Sequence, residues 1–155
     1  KEEGAEVITA GTGKKSVYKS KHGYEVVADT DASKIKSSTV DGIIIPGGYA
    51  PDILRRYDFV NDLVADIFKQ GKLVASICHG PWVMCSAGIL KGKKATCFFA
   101  IKDDVVNAGA KYSDAEVVVD GNLVTSRCPD DLPAFMRESI KILKAQKPVQ
   151  SVKVN

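Results

Sequence analysis

Short apolar runs alternate with longer stretches of helical periodicity along this chain. Residues 42–45 are a continuous apolar run, which is typical of a strand buried on both faces of a parallel sheet, and residues 73–77 are predicted to form the next buried strand. Between them, apolar residues recur at i, i+3, i+4 and i+7 from Val60, and this spacing predicts a helix over residues 58–69. The order strand, helix, strand indicates an α/β fold.

The remaining elements continue the alternation. We predict further strands over residues 6–10, 16–18, 24–27, 95–96, 116–119 and 123–126, and further helices over residues 81–87, 103–107 and 132–144. Residues 1–4 are interpreted as the end of a helix with a glycine stop, and residues 146–155 as an extended tail or a partner contact. Residues 1–145 therefore form a single doubly wound α/β domain without repeats or linkers.

Composition narrows the class of protein. The chain has 155 residues, of which 45% are hydrophobic and 26% charged, as expected for one globular domain. Its net charge of +3 comes from interspersed signs, so we expect no nucleic-acid surface. No apolar run approaches the ~18 residues of a membrane span, so we expect no membrane partner.

The cysteines and histidines exclude two further classes. Four cysteines form no Cys-x-x-Cys pair and the chain has 2 histidines, which argues against a zinc framework and against a secreted disulfide scaffold. We therefore expect a reducing, cytoplasmic compartment and neither a metal nor a cofactor.

The chemistry is expected where parallel strands end, because sites in open α/β sheets form at that edge. Residues 76–81, SICHGP, have the order small residue, any residue, nucleophile, any residue, small residue, between a strand and a helix. This is the pattern of a nucleophile elbow. A thiol of Cys78 at a helix N-terminus would be favoured as thiolate, and the alternative is a buried, inert cysteine.

Three residues would complete a site around this thiol. His79 would act as general base or hold the thiolate, and the alternative is a solvent-facing histidine without a role. The amides of Gly48 and His79 would form an oxyanion hole, and the alternative for the glycine pair is a plain tight turn. Asp52 either takes part in catalysis or caps a helix. Outside this group, Cys85 is expected to pack in the core.

The other candidates are weaker. Cys97 and Cys128 fall near the ends of predicted strands, and a catalytic role is not favoured for either. His22 lies in a turn signal and is expected to have no role.

Five segments together resemble the PfpI-type intracellular cysteine proteases of the ThiJ/PfpI superfamily. They are residues 46–52, 75–81, 86–92, 101–104 and 114–122. The similarity extends over residues 1–143, nearly the whole chain, and the ordered set is far more specific than any one segment.

The resemblance implies a fold and a set of roles. The fold is a flavodoxin-like three-layer sandwich with a mainly parallel central sheet, as in class I glutamine amidotransferases, in a homo-oligomer that is a dimer or a hexamer. Cys78 is implied as nucleophile, His79 as its base, and the amides of Gly48 and His79 as the oxyanion hole. Asp52 stands where the family has a glutamate supplied by a neighbouring subunit.

The sequence departs from the family pattern in two further places. Family members begin with a strand and then a loop carrying a glutamate that hydrogen-bonds the nucleophilic thiol. The sequence has no counterpart of these residues before Lys1, so we expect this chain to lack the first strand and helix of the family. Phe98 stands where the family often has a tyrosine, which removes a hydroxyl from the site.

The leading functional hypothesis is a cysteine hydrolase that acts on peptides. The alternatives are a glutathione-independent glyoxalase or deglycase acting on methylglyoxal and glycated groups, and a stress chaperone or redox sensor. A glutamine amidotransferase is excluded, because no histidine follows His79. A flavin or nucleotide protein is disfavoured, because no glycine-rich phosphate loop follows the first strand.

Overall fold

A computed structural model describes residues 1–14 and 16–146. The strands are β1 (Ala10–Gly11), β2 (Val17–Lys19), β3 (Glu25–Val27), β4 (Thr30–Asp31), β5 (Gly42–Ile45), β6 (Leu73–Ile77), β7 (Lys94–Ala95), β8 (Lys111–Tyr112), β9 (Val117–Asp120) and β10 (Leu123–Ser126). The α-helices are α1 (Ala50–Leu54), α2 (Asp58–Lys69), α3 (Pro81–Ser86), α4 (Lys102–Asn107) and α5 (Leu132–Ala145). The predicted tail lies outside the described residues from residue 147 onward.

A four-stranded sheet organises the fold, in the order β5-β6-β10-β9. β5, β6 and β10 are parallel, and β9 joins as an antiparallel hairpin partner of β10. Val74 at the centre pairs with Ile43 of β5 and with Leu123 of β10. The prediction of a mainly parallel central sheet is confirmed.

Side chains of β6 alternate between two cores, one on each face of the sheet. Val74 belongs to a cluster that contains Val64 of α2 and Val83 of α3. Its neighbours in β6 point the other way, and Ala75 packs in a cluster with Phe135 of α5. Helices therefore cover both faces, which gives the flavodoxin-like three-layer α/β fold.

The predicted and observed bounds of the elements agree best where a strand or helix is buried. The helix predicted over residues 58–69 and the strands predicted over residues 42–45, 73–77 and 123–126 have those bounds in the structure. The prediction that residues 42–45 are buried on both faces is wrong at Ile44, whose exposed fraction is 48%. The reason is that β5 lies at the edge of the described sheet and pairs with β6 on one side.

The N-terminal predictions need larger corrections. The strand predicted over residues 6–10 is wrong, because pairing is limited to Ala10 and Gly11 against β4. Val7 and Ile8 are 49% and 46% exposed, since no neighbouring strand in the described chain covers them. Residues 1–4 form a turn, closed by a Gly4 N–H to Lys1 C=O hydrogen bond of 3.0 Å, and not a helix end.

Two short strands escape the sequence pattern. β4 and β8 have two residues each, too few to show a period of two. α1 follows the Pro-Gly-Gly turn directly, and Pro51 occupies its first turn. Among the described helices, none is long and apolar enough to cross a membrane.

Candidate active site

Cys78 occupies a strained turn between β6 and α3. Its φ is +63°, and it is the one non-glycine residue with positive φ in the described chain. This left-handed conformation is unfavourable for a side chain with a Cβ, and such strain persists only where the surroundings impose it. The Cys78 N–H donates to Ser126 C=O at 3.0 Å, and the Phe98 N–H donates to Cys78 C=O at 3.0 Å. The elbow is therefore held from both sides.

Two glycines make room for this turn. A Cβ on Gly47 would lie 2.6 Å from the Cβ and 3.3 Å from the Sγ of Cys78. A Cβ on Gly80 would lie 2.8 Å from the Cβ of Ser76 and 3.0 Å from the Ile45 carbonyl oxygen. Any side chain at either position would displace the elbow. The small residues in the sequence pattern thus have a steric cause.

The thiol and imidazole predicted as nucleophile and base lie together. The Cys78 Sγ is 3.2 Å from the His79 Nδ1, and both residues are partly accessible to solvent. At this distance a proton can be shared between sulfur and nitrogen, which gives either a neutral pair or a thiolate with imidazolium. The thiol is therefore neither isolated nor enclosed in hydrocarbon.

The backbone N–H groups of Gly48 and His79 donate to no acceptor within residues 1–14 and 16–146. Gly48 has a φ of +70° and follows β5, so it lies at the carboxyl ends of the parallel strands, where the elbow also lies. Free donors at such an edge are what an oxyanion hole requires. The assignment of these two amides to an oxyanion hole stays a prediction.

Asp52 is not brought together with the thiol and imidazole in this chain. It lies in the first turn of α1, and its carboxylate pairs with Arg56, one turn further along. The Arg56 Nε also donates to the Asp52 C=O at 3.1 Å. A catalytic role for Asp52 would require it to reach the His79 of a neighbouring subunit, and that stays a prediction.

Two of the other cysteines, Cys85 and Cys97, have thiols whose pKa is raised by burial. Burial raises the pKa of the Cys85 thiol to about 11 and that of the Cys97 thiol to about 12. Both are protonated at neutral pH and are poor nucleophiles. Core packing, predicted for Cys85, fits this environment. No group of three or more His, Cys, Asp or Glu side chains in the described chain is placed to hold a metal ion.

Two aromatic rings pack against His79, and one of them, Trp82, is not predicted as part of the site. The His79 ring lies 5.1 Å from the Trp82 ring in an edge-on arrangement and 5.0 Å from the Phe98 ring, measured between centroids. Trp82 is three residues beyond His79 on the opening turn of α3, and that spacing was the available signal. Phe98 comes from a distant segment, and the family resemblance alone placed it near the site.

Comparison with known proteins identifies the family of this chain. The model of the DJ-1/PfpI family matches residues 1–142. The chain belongs to the DJ-1/PfpI family. Deglycase PfpI of Pyrococcus furiosus is 46% identical over 144 residues, which are 93% of this chain and 86% of that protein. The putative cysteine protease YraA of Bacillus subtilis is 48% identical over 124 residues, 80% of this chain and 73% of that protein.

Solved structures of the family confirm the fold. A two-domain protein of Anabaena variabilis, with a DJ-1/ThiJ/PfpI-like and a ferritin-like domain, superposes with a TM-score of 0.90 at 40% identity. The match covers 99% of this chain and 45% of that one, so the chain spans less than half of the two-domain protein. Membership in the ThiJ/PfpI superfamily, predicted from the sequence, is confirmed, and the names of the relatives support an enzyme.

Proposed function

We propose that this protein is a cysteine-dependent deglycase, which removes methylglyoxal-derived groups from amines or thiols. The observation that carries the proposal is the Cys78 Sγ held 3.2 Å from the His79 Nδ1 on a strained elbow. This pair would serve a peptidase equally well. Relatives named deglycases, such as that of Pyrococcus furiosus, favour carbonyl-adduct chemistry over the peptide hydrolysis that the sequence placed first.

The first step transfers the adduct to the enzyme. The Cys78 thiolate forms a bond to the carbinol carbon of the adduct while the carbon–nitrogen bond breaks. His79, as imidazolium, gives its proton to the departing amine. The product of this step is a free amine and a hemithioacetal on Cys78, with the methylglyoxal carbons otherwise unchanged.

The second step is an internal rearrangement followed by hydrolysis. His79, now neutral, removes the proton from the hemithioacetal carbon while the ketone oxygen takes up a proton, which gives an enediol. His79 then returns its proton to the former ketone carbon as the hemithioacetal hydroxyl loses its own proton, which gives a lactoyl thioester. The amides of Gly48 and His79 would stabilise the oxyanion during the attack of water on this thioester. Lactate leaves and the thiol is restored, so no oxidant, reductant or cofactor is consumed.

We also propose that the working enzyme is a homo-oligomer in the cytoplasm. Asp52 would accept a hydrogen bond from the His79 of a neighbouring subunit and so orient the imidazole. Within the chain its carboxylate pairs with Arg56, whose side chain is 60% exposed. Exposed ion pairs contribute little to stability, so the carboxylate can change partners at low cost.

The test is the release of lactate and free amine from a preformed adduct of methylglyoxal with N-acetyl-lysine amide. We expect equimolar lactate and amine from the wild type, formed faster than lactate from methylglyoxal alone. Cys78→Ala lowers the rate at least about a thousandfold. Cys85→Ala, a matched loss of one thiol, keeps the activity because burial keeps that thiol protonated at neutral pH. Equal rates for Cys78→Ala and the wild type would contradict the proposal.

Peptide hydrolysis is the second candidate, favoured by the relative named putative cysteine protease YraA. It uses the same attack of Cys78, but on an amide carbon, with His79 protonating the leaving amine. Cleavage of an unmodified peptide, lost in Cys78→Ala, together with no lactate from the adduct, would replace the deglycase proposal by this one.

A further inference from the structure

The imidazole of His79 is oriented within the chain by aromatic contacts. Its Nδ1 faces the Cys78 sulfur, and no other hydrogen bond to its ring is present among residues 1–14 and 16–146. The rings of Trp82 and Phe98 lie on it at 5.1 and 5.0 Å between centroids. An imidazole with one hydrogen bond can rotate about χ2 unless its neighbours prevent it, so these rings set its direction.

Trp82 is itself contacted by a polar group of α4 and by Arg55, the residue that follows α1. Its indole Nε1–H donates to the Asp104 Oδ2 of α4 at 2.8 Å. On α1's C-terminal side, the Arg55 guanidinium lies 5.7 Å from the Trp82 ring centroid, and the Arg55 Nε donates to the Ser86 Oγ at 2.9 Å. An indole held by a directional hydrogen bond presents one edge to its neighbour, whereas a free indole would sample several rotamers.

We propose that Trp82 and Asp104 are positioning residues, which hold the His79 Nδ1 toward the Cys78 sulfur through the indole N–H to carboxylate hydrogen bond. Asp104 touches neither the thiol nor the imidazole and acts through Trp82. The assignment concerns the orientation of the imidazole, and its catalytic use rests on the proposed function. The two residues give a single chain a pre-oriented base before any neighbouring subunit contributes Asp52.

The position of Asp104 makes the proposal testable. Asp104 is exposed, so replacing it disturbs no packed core. Its neighbour Asp103 is also an exposed carboxylate in the first turn of α4, but it makes no hydrogen bond or ion pair within the described residues. Asp103→Ala is therefore a matched control for the loss of one negative charge on the same turn.

The experiment measures the second-order rate of Cys78 alkylation by iodoacetamide at pH 7, with the labelled peptide identified by mass. Trp82→Phe, which keeps a ring but lacks the N–H, and Asp104→Ala each slow the reaction about fivefold, since a misdirected imidazole stabilises the thiolate less. Asp104→Asn keeps an acceptor oxygen and stays within about twofold of the wild type, as does Asp103→Ala.

The decisive arm repeats these changes in a His79→Ala background. If Trp82 and Asp104 act through the imidazole, Trp82→Phe and Asp104→Ala leave the alkylation rate of His79→Ala unchanged. A slowing of similar size in both backgrounds, or Asp104→Asn as slow as Asp104→Ala, would overturn the proposal. Should Trp82→Phe fail to fold, the Asp104 variants carry the test alone. Alkylation needs no carbonyl substrate, so absent deglycase activity would sink the proposed function and leave this result standing.

Discussion

Residues 1–41 and residues 42–146 use their apolar side chains differently. In the described part of the first segment, Gly11 and Ala32 are the buried residues, and Val17, Val26 and Val27 are substantially exposed. In the second segment, apolar side chains form two cores, one on each face of the sheet. Both segments contain strand-like apolar patterns, so pattern alone does not explain the contrast.

The difference is one of packing partners. β2 and β3 pair with each other as an antiparallel hairpin, but no helix among the described residues covers it extensively. An isolated two-stranded hairpin is marginal in water, and its apolar residues contribute to stability when another layer covers them. The site follows the same division, because the elbow lies between β6 and α3 in the well-packed segment.

The largest expected effect is on stability in the two-core segment. Phe135 is 1% exposed beneath the sheet, and Phe135→Ala lowers the free energy of unfolding by about 3–5 kcal/mol through lost burial and a cavity. Val27 in β3 is 63% exposed, and Val27→Ala changes the free energy of unfolding by less than about 0.5 kcal/mol. Urea denaturation measures both, and equal losses would show that the two segments are packed alike.

An ion pair of the packed segment gives the next effect. The Asp131 side chain is 6% exposed and accepts hydrogen bonds from the Arg127 Nε at 2.9 Å and Nη2 at 3.0 Å. Asp131→Ala lowers the free energy of unfolding by about 2 kcal/mol at pH 7, by loss of charged hydrogen bonds.

The pH dependence of that loss has a defined sign. Hydrogen bonds from Arg127 lower the pKa of the Asp131 carboxyl in the folded protein. Its stabilisation is therefore present above the unfolded pKa of about 3.9 and is lost as pH falls through the folded pKa. Thermal unfolding measured from pH 7 to pH 2 should show that the difference in stability between the wild type and Asp131→Ala becomes small at the acid end. A difference in stability that stays constant over this pH range would contradict a stabilising role for the charged Asp131 carboxylate.

Glycine substitutions separate steric from conformational roles in the two segments. Gly47→Ala places a Cβ 2.6 Å from that of Cys78, so the elbow must shift and the deglycase rate falls about tenfold or more. Gly23 has a φ of +86° with open space around it, so Gly23→Ala costs about 1 kcal/mol of stability and leaves the rate unchanged. Rates are compared on the adduct substrate, and an active Gly47→Ala would argue against close contact at the elbow.

The smallest expected effect is a gain in stability at the site. Cys78 has a φ of +63°, which glycine adopts without steric cost. Cys78→Gly therefore raises the free energy of unfolding by about 1 kcal/mol while abolishing the reaction. Denaturation of this variant beside Cys78→Ala, which keeps the Cβ, isolates the backbone contribution. A destabilised Cys78→Gly would mean that the elbow is not strained.

Sequence alone predicted the elements whose own residues determine their burial. β6 and α2 were predicted to the residue because a short, mainly apolar run and a helical period each identify a buried surface. The strand at residues 6–10 failed because strand formation needs a neighbour, and local pattern carries no information about that neighbour. For the same reason Ile44 was predicted to be buried although β5 lies at an edge.

For the site, the elbow and the glycine pair after β5 were predictable, and the contacts between separate segments were not. Cys78 and His79 are adjacent in sequence, and the small residues around them follow from the tight turn. Gly47 and Phe98 meet the elbow from other segments, so their contacts depend on the assembled sheet. The Asp52 carboxylate was placed on a helix correctly, but its partner Arg56 was not predicted.

The most direct test of the account is competitive labelling of the four thiols in the folded protein at pH 7. A limiting amount of iodoacetamide, followed by peptide mapping, should modify Cys78 well before Cys85 and Cys97, and His79→Ala should slow the labelling of Cys78 alone. Labelling of Cys85 or Cys97 ahead of Cys78, or a Cys78 rate indifferent to His79, would contradict the claim that this elbow holds an activated thiol.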